Sequence, residues 1–405
     1  MTAAGRYRSA EISGRTAVSI VALLVAAMFM GSTVLTPLYI IYEHSYHFSR
    51  ITLTLVYAVY AVGNLSALLL VGRVSDIMGR RCISLTAIVI GAVSTLLFLL
   101  SRGTAWLFWA RALSGVGIAL AAGTATAWIA ELETEQDMAN ATMIATSSNF
   151  LGLAAGSLMA GLLAQYAPWS LHLSFIVYLA LLLITGLLIA RTRETVEQPD
   201  SDPHRLIQRP RLGIPPAIRT QFIPPAVTVF GSMAFVGYYA ALIPSILAEN
   251  LHETNHAVAG AIFFELALIV AISVYATRSL SSRAAMLGGL VLLLPSLALL
   301  VAAQIAGSMT ILLAGTAVSG VAVALGYRGS LQVVNQIAPE DQRAEVTSTY
   351  FVCGFTGNAV PVIGIGILSS IWSATIAGSV FAVTIGAFAI IALLVGLRDG
   401  GKPAR

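Results

Sequence analysis

Residues 111–120 read RALSGVGIAL, and residues 316–325 read TAVSGVAVAL. The two stretches share a Ser-Gly-Val step and a final Ala-Leu at an offset of 205 residues. The same offset aligns further residues in the loop and the helix that follow. An internal duplication of this length predicts two similar halves. The other matched pairs are Glu135 with Glu340, Ala139 with Ala344, Thr142 with Thr347, Gly152 with Gly357, and Gly161 with Gly366.

The composition predicts a polytopic α-helical membrane protein. Of 405 residues, 58% are hydrophobic and 10% are charged, and the mean hydropathy is +0.87. A soluble domain carries about 25% charged residues, which excludes that class. Apolar stretches of about 20 residues are long enough to cross a bilayer. Twelve such stretches, called spans 1 to 12 below, are predicted at 17–42, 50–71, 82–100, 104–130, 138–165, 170–190, 222–248, 256–277, 284–304, 308–330, 345–369 and 373–397.

The segment between spans 6 and 7 predicts the domain organisation. Residues 193–221 are polar and rich in Pro and Arg, which is typical of a linker. We therefore expect an N-terminal six-helix bundle at 1–192, a cytoplasmic linker at 193–221, and a C-terminal six-helix bundle at 222–405.

The distribution of Arg and Lys predicts the orientation. With the N-terminus inside, the outer loops hold Arg50 and Arg102, whereas every other Arg or Lys outside the spans lies inside. The positive-inside rule then places both termini in the cytoplasm. An excess of Arg over Lys is associated with GC-rich bacteria, so we expect the bacterial inner (plasma) membrane. One inside loop, ELETEQD at 131–137, is acidic against this trend.

The segment HETNH, 252–256, fits the H-E-x-x-H signature of zinc proteases. The repeat offset places it on HFSRI, 47–51, a short outer turn in which Ser49 can cap span 2. By the same argument Thr254 should cap span 8. An intramembrane metalloprotease, with Glu265 as a third ligand, remains a remote alternative. No second ligand segment and no phosphate-binding loop occur, so we predict no catalytic residues, no metal and no cofactor.

The stretch GRVSDIMGRR, 72–81, resembles the loop signature of the major facilitator superfamily. In that family the motif acts as a conformational latch. A small Gly72 lets helices approach closely, and Asp76 can face the positive end of a neighbouring helix. The alternative is a plain positive-inside turn. The matching residues are Gly72, Asp76, Gly79, Arg80 and Arg81, with Ile77 in place of the usual basic residue.

Two further motifs carry the resemblance. RALSGVG in span 4 is similar to the family's R-x-x-x-G-x-G pattern, with Arg111, Gly115 and Gly117 in register. The resemblance implies a role for Arg111 in proton or substrate coupling, and the alternative is an arginine that snorkels to the surface. GLAAGSLMAG, 152–161, looks like the antiporter motif of span 5 with Ser157 in place of proline; close helix packing explains it equally well. Its remaining glycines are Gly152, Gly156 and Gly161.

Polar residues within the spans are the remaining candidates. Glu265 lies roughly 13 Å into the membrane, where a carboxylate suits reversible protonation or, alternatively, a structural bond to a neighbouring helix. Arg328 in span 10 is expected either to attract a polar or anionic substrate group or to snorkel to the cytoplasm. Uncharged candidates for coupling or substrate contact are Tyr57, Tyr60, Asn64, Asn149, Tyr238, Tyr239 and Asn358.

These observations favour an all-α polytopic membrane protein with the major facilitator fold, twelve helices in two pseudo-symmetric halves. The resemblance to bacterial drug/metabolite:proton antiporters implies proton-coupled efflux of a drug-like or metabolite-like molecule by alternating access. The alternatives are an importer or facilitator of a small organic solute, by proton symport or uniport, and a membrane receptor without transport. Expected partners are a small-molecule substrate, protons and the lipid bilayer, without nucleic acid, and the protein is expected to be a monomer.

Overall fold

The computed structural model describes residues 11–71, 74–133, 138–196 and 212–398. Gly72 of the expected latch, Glu135 of the repeat and most of the linker lie outside these ranges. Some of the basic residues that set the orientation also lie outside them: Arg6, Arg8, Arg73, Arg205, Arg209, Arg211, Lys402 and Arg405.

The number of predicted spans is confirmed. Within the described ranges, twelve helices have the length and apolar composition to cross a bilayer. A helix suits this environment because it satisfies its backbone hydrogen bonds within one segment. From span 1 to span 12 the helices run Gly14–Thr33, Arg50–Val71, Arg80–Leu99, Thr104–Leu132, Met138–Tyr166, Leu173–Ala190, Arg219–Asn250, His256–Ala276, Ser282–Ala306, Met309–Ile337, Arg343–Ile371 and Ala374–Arg398.

Span 1 is interrupted, although its sequence predicts one continuous helix. After Thr33 the chain forms a 3₁₀ turn, Thr36–Leu38, and then a second helix, Tyr39–Tyr46. Pro37 in this turn explains the break, because proline has no N–H and its ring clashes with the carbonyl group four residues earlier.

Span 10 extends beyond its predicted end at 330 as far as Ile337. The added residues include the polar Gln332, Asn335 and Gln336, which hydropathy alone would exclude from the membrane. Asn335 and Gln336 are exposed, so this last part of the helix projects beyond the apolar packing.

Small residues allow close contact between helices, and the two halves use them at equivalent positions. A methyl group on Gly152 would collide with the carbonyl oxygen of Ala26 in span 1. One repeat later, a methyl group on Gly357 would collide with the carbonyl oxygen of Phe230 in span 7. Gly156 likewise packs on Met30, Gly115 on the backbone of span 2, and Gly117 on the backbone of span 3.

The halves meet where span 5 packs on span 8 and where span 11 packs on span 2. A methyl group on Gly161 would lie 2.6 Å from the carbonyl oxygen of His256 and 3.1 Å from the Cα of Gly260. Gly366, one repeat after Gly161, packs on the side chain of Thr54. Both contacts lie at the end of the molecule that holds the span 1–2 and span 7–8 loops, which we call the closed end. The opposite end holds Arg80 and Glu131.

We expect Gly152→Leu to destabilise the protein, because the new side chain would have to push spans 1 and 5 apart. Overpacking of this kind costs about 1–3 kcal/mol. The apparent melting temperature in detergent should therefore fall. Gly364→Leu is the matched control, since a methyl group at Gly364 meets no atom within 4 Å. Equal melting temperatures for the two variants would contradict the close contact.

Candidate functional site

A cavity of about 410 Å³ lies between the two halves. Spans 1, 2, 4 and 5 form one wall, and spans 7, 8, 10 and 11 form the other. Cavities of this size hold drug-sized organic molecules.

Residues one repeat apart line this cavity together. Thr142 and Thr347 form one such pair, and Phe150 and Phe355 form another. Further lining pairs at the same offset are Ala122 with Tyr327, Thr126 with Leu331, Thr146 with Phe351, Asn149 with Gly354, and Leu153 with Asn358. The repeat therefore indicates which helix faces form the cavity.

The two walls nevertheless differ in chemistry. The N-terminal half contributes Thr126, Thr146 and Asn149, whereas the repeat-related positions of the C-terminal half hold Leu331, Phe351 and Gly354. The wall of the first half is thus the more polar one. The wall of the second half is rich in aromatic and aliphatic groups.

Contacts between the halves seal the cavity at the closed end. The hydroxyl group of Tyr57 donates to Oδ1 of Asn358 at 3.0 Å, linking span 2 to span 11. Farther out, Arg50 forms an ion pair with Glu249 across the halves. The packing of Gly161 on span 8 and of Gly366 on Thr54 lies at the same end.

The cavity reaches the opposite end of the bundle. Its lining includes Thr142 and Thr347, each four residues after the first residue of its helix, and Asn335, two residues before the end of span 10. Asn335 is exposed, so the mouth of the cavity lies there. The structure thus represents a conformation that is open at the Arg80 end.

Arg111 borders the middle of the cavity and is only 1% exposed. Its Nη1 donates to the carbonyl oxygen of Ser32 at 2.8 Å, and its Nε is buried without a hydrogen-bond partner among the described residues. The guanidinium carbon lies 5.3 Å from the ring centroid of Tyr60 and 5.6 Å from that of Tyr57. Cation–π contacts of this kind contribute about 0.5–2 kcal/mol.

The three asparagines among the sequence candidates all line the cavity. Nδ2 of Asn64 donates to the hydroxyl group of Tyr60 at 3.4 Å, and Nδ2 of Asn358 donates to the carbonyl oxygen of Met233 at 3.4 Å. Oδ1 of Asn149 is buried and has no partner in the described part of the chain. A polar ligand group could therefore find an acceptor at Asn149.

Four other candidates are not part of the cavity lining. Tyr238 accepts a hydrogen bond from Nε2 of Gln304 in span 9 at 3.1 Å. Tyr239 accepts one from Oγ1 of Thr316 in span 10 at 3.2 Å. Arg328 points toward the turn between spans 8 and 9, where its Nη2 donates to the carbonyl oxygen of Leu280 at 3.3 Å. Its neighbour Tyr327 faces the cavity instead, because adjacent residues of a helix point about 100° apart.

Glu265 is the fourth candidate away from the cavity. It is partly buried and lies within electrostatic range of Tyr239, and its Oε2 is buried with no hydrogen-bond partner among the described residues. Phe263, two residues earlier in span 8, contributes to the cavity wall. Glu265 is therefore an intramembrane carboxylate close to spans 7 and 10.

At the open end, Arg80 is the centre of a charged network. Its guanidinium group pairs with Asp76 and with Glu131, and its Nη2 lies 2.6 Å from Oε1 of Glu131. Glu133, the next acid along the chain, accepts a hydrogen bond from Asn140. Of the acidic segment 131–137, Glu131 thus has an arginine partner on the same side of the protein.

A carboxylate, that of Glu194, lies at the N-terminus of span 3. Its oxygens accept the backbone N–H groups of Arg80 and Arg81, each at 2.9 Å. A carboxylate is favourable there because it complements the positive end of the helix. Gly79 just before the helix has φ +96°, which favours glycine. The sequence pattern does not identify Glu194 as this cap, because Glu194 lies more than a hundred residues after Arg80 along the chain.

The HETNH segment forms a turn and a helix start. His252 lies in the loop with φ +55°, and His256 is the first residue of span 8. The prediction that Thr254 caps this helix is wrong: Asn255 accepts the backbone N–H of Ala257 at 2.8 Å. Asn255 is the residue directly before the helix, so its side chain reaches the free N–H groups. Within the described ranges, no three His, Cys, Asp or Glu residues are grouped to hold a metal.

A twelve-helix bundle with a cavity between two related halves, sealed at one end, is the architecture of a membrane transporter of small solutes. The chain belongs to the Major Facilitator Superfamily, whose model matches residues 21–273. The family and the structural neighbours described next are transporters rather than enzymes.

The fold matches solved structures over nearly its whole length. A bacterial homologue of the human lysosomal transporter Spinster, in an inward-facing and unoccupied conformation, aligns with a TM-score of 0.74 at 18% identity and covers 96% of this chain and 98% of that one. The human organic anion transporter MFSD10 (TETRAN) aligns with a TM-score of 0.66 at 16% identity and covers 94% and 99%. The major facilitator fold in two pseudo-symmetric halves is thereby confirmed.

Two curated proteins match over shorter regions. An uncharacterized transporter of Buchnera aphidicola is 27% identical over 129 residues, which is 32% of this chain and 30% of that protein. The chloramphenicol resistance protein CraA of Acinetobacter baumannii is 25% identical over 161 residues, or 40% of this chain and 39% of that protein. The alignments thus span well under half the length of either relative.

We expect Tyr57→Phe to weaken the closed end, because it removes the hydrogen bond between spans 2 and 11. One such bond contributes about 1 kcal/mol, which is about fivefold in the ratio of the two conformations. A cysteine at Leu53, a residue only 2% exposed at the closed end, should then react faster with a membrane-impermeant maleimide. The background chain would carry Cys82→Ser and Cys353→Ser.

Tyr350→Phe is the matched control for this experiment. It removes the same hydroxyl group from a buried tyrosine, but its hydrogen bond with Ser330 lies within the second half and away from Leu53. In this control, the cysteine at position 53 should be labelled at the same rate as in the protein that keeps all its tyrosines. If Tyr57→Phe also leaves the rate unchanged, the bond to Asn358 does not hold the closed end.

Proposed function

We propose that this protein is a proton-coupled exporter of a drug-like or metabolite-like organic compound, working by alternating access. The observation that carries the proton coupling is Glu265, a carboxylate in the interior of span 8 whose Oε2 is buried without a partner in the described chain. An intramembrane carboxylate of this kind is a candidate for reversible proton binding. The similarity to a chloramphenicol resistance protein supports export as the direction.

The contacts at the two ends support alternating access. At the closed end the halves are joined by the Tyr57–Asn358 bond and the Arg50–Glu249 ion pair. Opening that end requires these contacts to break while the halves come together at the mouth near Asn335. We assign the network of Asp76, Gly79, Arg80 and Arg81, with Glu131 and Glu194, to a latch that limits this movement. Gly72 would complete the motif.

The proposed orientation places both termini in the cytoplasm of a bacterium, with the chain in the inner (plasma) membrane. The mouth of the cavity would then face the cytoplasm, from which an exporter takes its substrate. The two bundles are assigned to 1–192 and 222–405, joined by a cytoplasmic linker at 193–221. The transporter would act as a monomer, because each chain contains the whole cavity.

The offset of 205 residues places Arg111 and Glu265 each on an uncharged residue of the other half. Under the offset of 205 residues, Glu265 takes the place of Tyr60, and Thr316 takes the place of Arg111. In the first half Arg111 lies beside Tyr60, and in the second half Glu265 lies near Tyr239, which bonds to Thr316. We propose that the first half binds the substrate and that the second half carries the proton.

A second candidate is an importer or facilitator that moves a small organic solute by proton symport or uniport. It is favoured by one observation: no carboxylate is present among the described residues that line the cavity. A uniporter needs no proton site, whereas an antiporter must connect Glu265 to the cavity through movements of spans 7, 8 and 10.

We expect Glu265→Gln to abolish proton exchange, because glutamine cannot release a proton. Everted vesicles energised to an acidic interior, with a pH-sensitive dye, would be exposed to a panel of organic compounds. Compounds that collapse the gradient in the wild type should leave it intact in the variant. Glu340→Gln is the matched control, since Glu340 is an exposed carboxylate in the turn before span 11 and should behave as the wild type.

Two results would overturn the coupling scheme. If Glu265→Gln exchanges protons like the wild type, Glu265 is structural. If substrate moves through the wild type and through Glu265→Gln without any change in the pH gradient, the facilitator is the better description.

A further inference from the structure

We propose that the cavity binds an amphipathic organic anion, with the anionic group at Arg111 and the apolar body against the wall of the second half. This inference rests on the proposed function, since it takes the cavity to be the substrate site. It adds the chemical class of the substrate and the residue that selects it.

The first argument is charge. Arg111 is the one charged side chain among the described residues that line the cavity. No described carboxylate forms an ion pair with it, and Glu265 lies off the cavity beside span 7 and span 10. The cavity therefore carries a net positive charge in surroundings of low dielectric constant, where an anion is strongly favoured.

The second argument is the incomplete set of hydrogen bonds around the guanidinium group. Arginine has five N–H donors in a rigid fork that fits a carboxylate with two parallel bonds. Nη1 is bound to the carbonyl oxygen of Ser32, but Nε is buried without a partner in the described chain. The rings of Tyr57 and Tyr60 stabilise the charge without accepting its N–H groups. The hydroxyl group of Tyr39 also lies beside the guanidinium group, so a bound anion would supply the acceptor that Nε lacks.

The third argument is the distribution of polar and aromatic residues around the cavity. Across the cavity from the polar first half lies an aromatic wall that includes Phe263, Phe351 and Phe355. Phe150 meets Tyr327 edge-on at 6.3 Å between the halves, so aromatic groups also flank the middle of the cavity. An arylalkanoic acid would place its carboxylate at Arg111 and its ring against this wall.

The test measures binding to the full-length protein in nanodiscs of zwitterionic lipid, so that lipid headgroups supply no net negative charge. The probes are two matched pairs, 4-phenylbutyrate with 4-phenylbutyramide and 2-naphthoxyacetate with its amide. Binding of each probe is measured by thermal shift and by isothermal titration calorimetry. We expect each acid to bind the wild type at least about tenfold more tightly than its amide, because the amide lacks the charge.

Three variants assign the preference to Arg111. Arg111→Gln should remove the preference for the acids, and Arg111→Lys should keep part of it, because lysine retains the charge without the fork. Arg328→Gln is the matched control: it removes another buried arginine, one that bonds to Leu280 away from the cavity, and should keep the full preference. If Arg111→Gln does not fold, the comparison of Arg111→Lys with Arg328→Gln carries the test.

The proposal is overturned if no acid binds the wild type, if amides bind as well as acids, or if the variants at Arg111 keep the full preference. Its failure differs from failure of the proposed function. Proton-coupled efflux of a neutral compound without acid binding would overturn the anion site alone. Acid binding without proton-coupled flux would overturn the coupling and leave the anion site in place.

Discussion

Backbone contact between span 5 and span 8, at Gly161 and Gly260, is the interaction on which the rest of the architecture depends. A methyl group on either glycine would lie within 2.6 Å of a carbonyl oxygen of the other helix. Lipid gives little hydrophobic drive for helices to associate, so such close packing has to supply the attraction. Together with the packing of Gly366 on Thr54, it joins the halves at one end. The cavity opens at the other end because the halves diverge from these contacts.

The number of spans and the duplication could be predicted from the sequence, because both depend only on the order of residues along the chain. Apolar length identifies a span, and a fixed offset identifies a repeat. The identity of the cavity-facing residues was harder to predict, since the spans are apolar on most faces and the usual periodicity is weak. Arg328 was a candidate because of its charge, yet its neighbour Tyr327 is the residue that lines the cavity. Phe150 and Phe355 carried a usable signal, because they lie one repeat apart.

Contacts between distant segments account for most of what the sequence did not reveal. Glu194 caps span 3 from beyond span 6, and Glu131 pairs with Arg80 from the end of span 4. Neither pairing follows from local pattern, because the partners meet only after the helices pack. The ion pair with Arg80 gives Glu131, the first acid of the acidic segment 131–137, a partner on the arginine-rich side. The motif at 72–81 pointed to Asp76 and Arg80 of this network, and the deviation from the charge rule was the signal for Glu131.

The separation of Arg111 from Glu265 has a physical consequence for coupling. If the two residues were in contact, they would form a buried ion pair, and neither the guanidinium nor the carboxylate group would be available to a substrate or a proton. They instead lie in different halves, Arg111 at the cavity and Glu265 away from it beside Tyr239. Neither residue has an ion-pair partner among the described residues, and under the proposed alternating access a movement of one half against the other would change the surroundings of both. Under the proposed coupling, a duplicated scaffold whose halves have diverged in charge would bind substrate and proton at two separate sites.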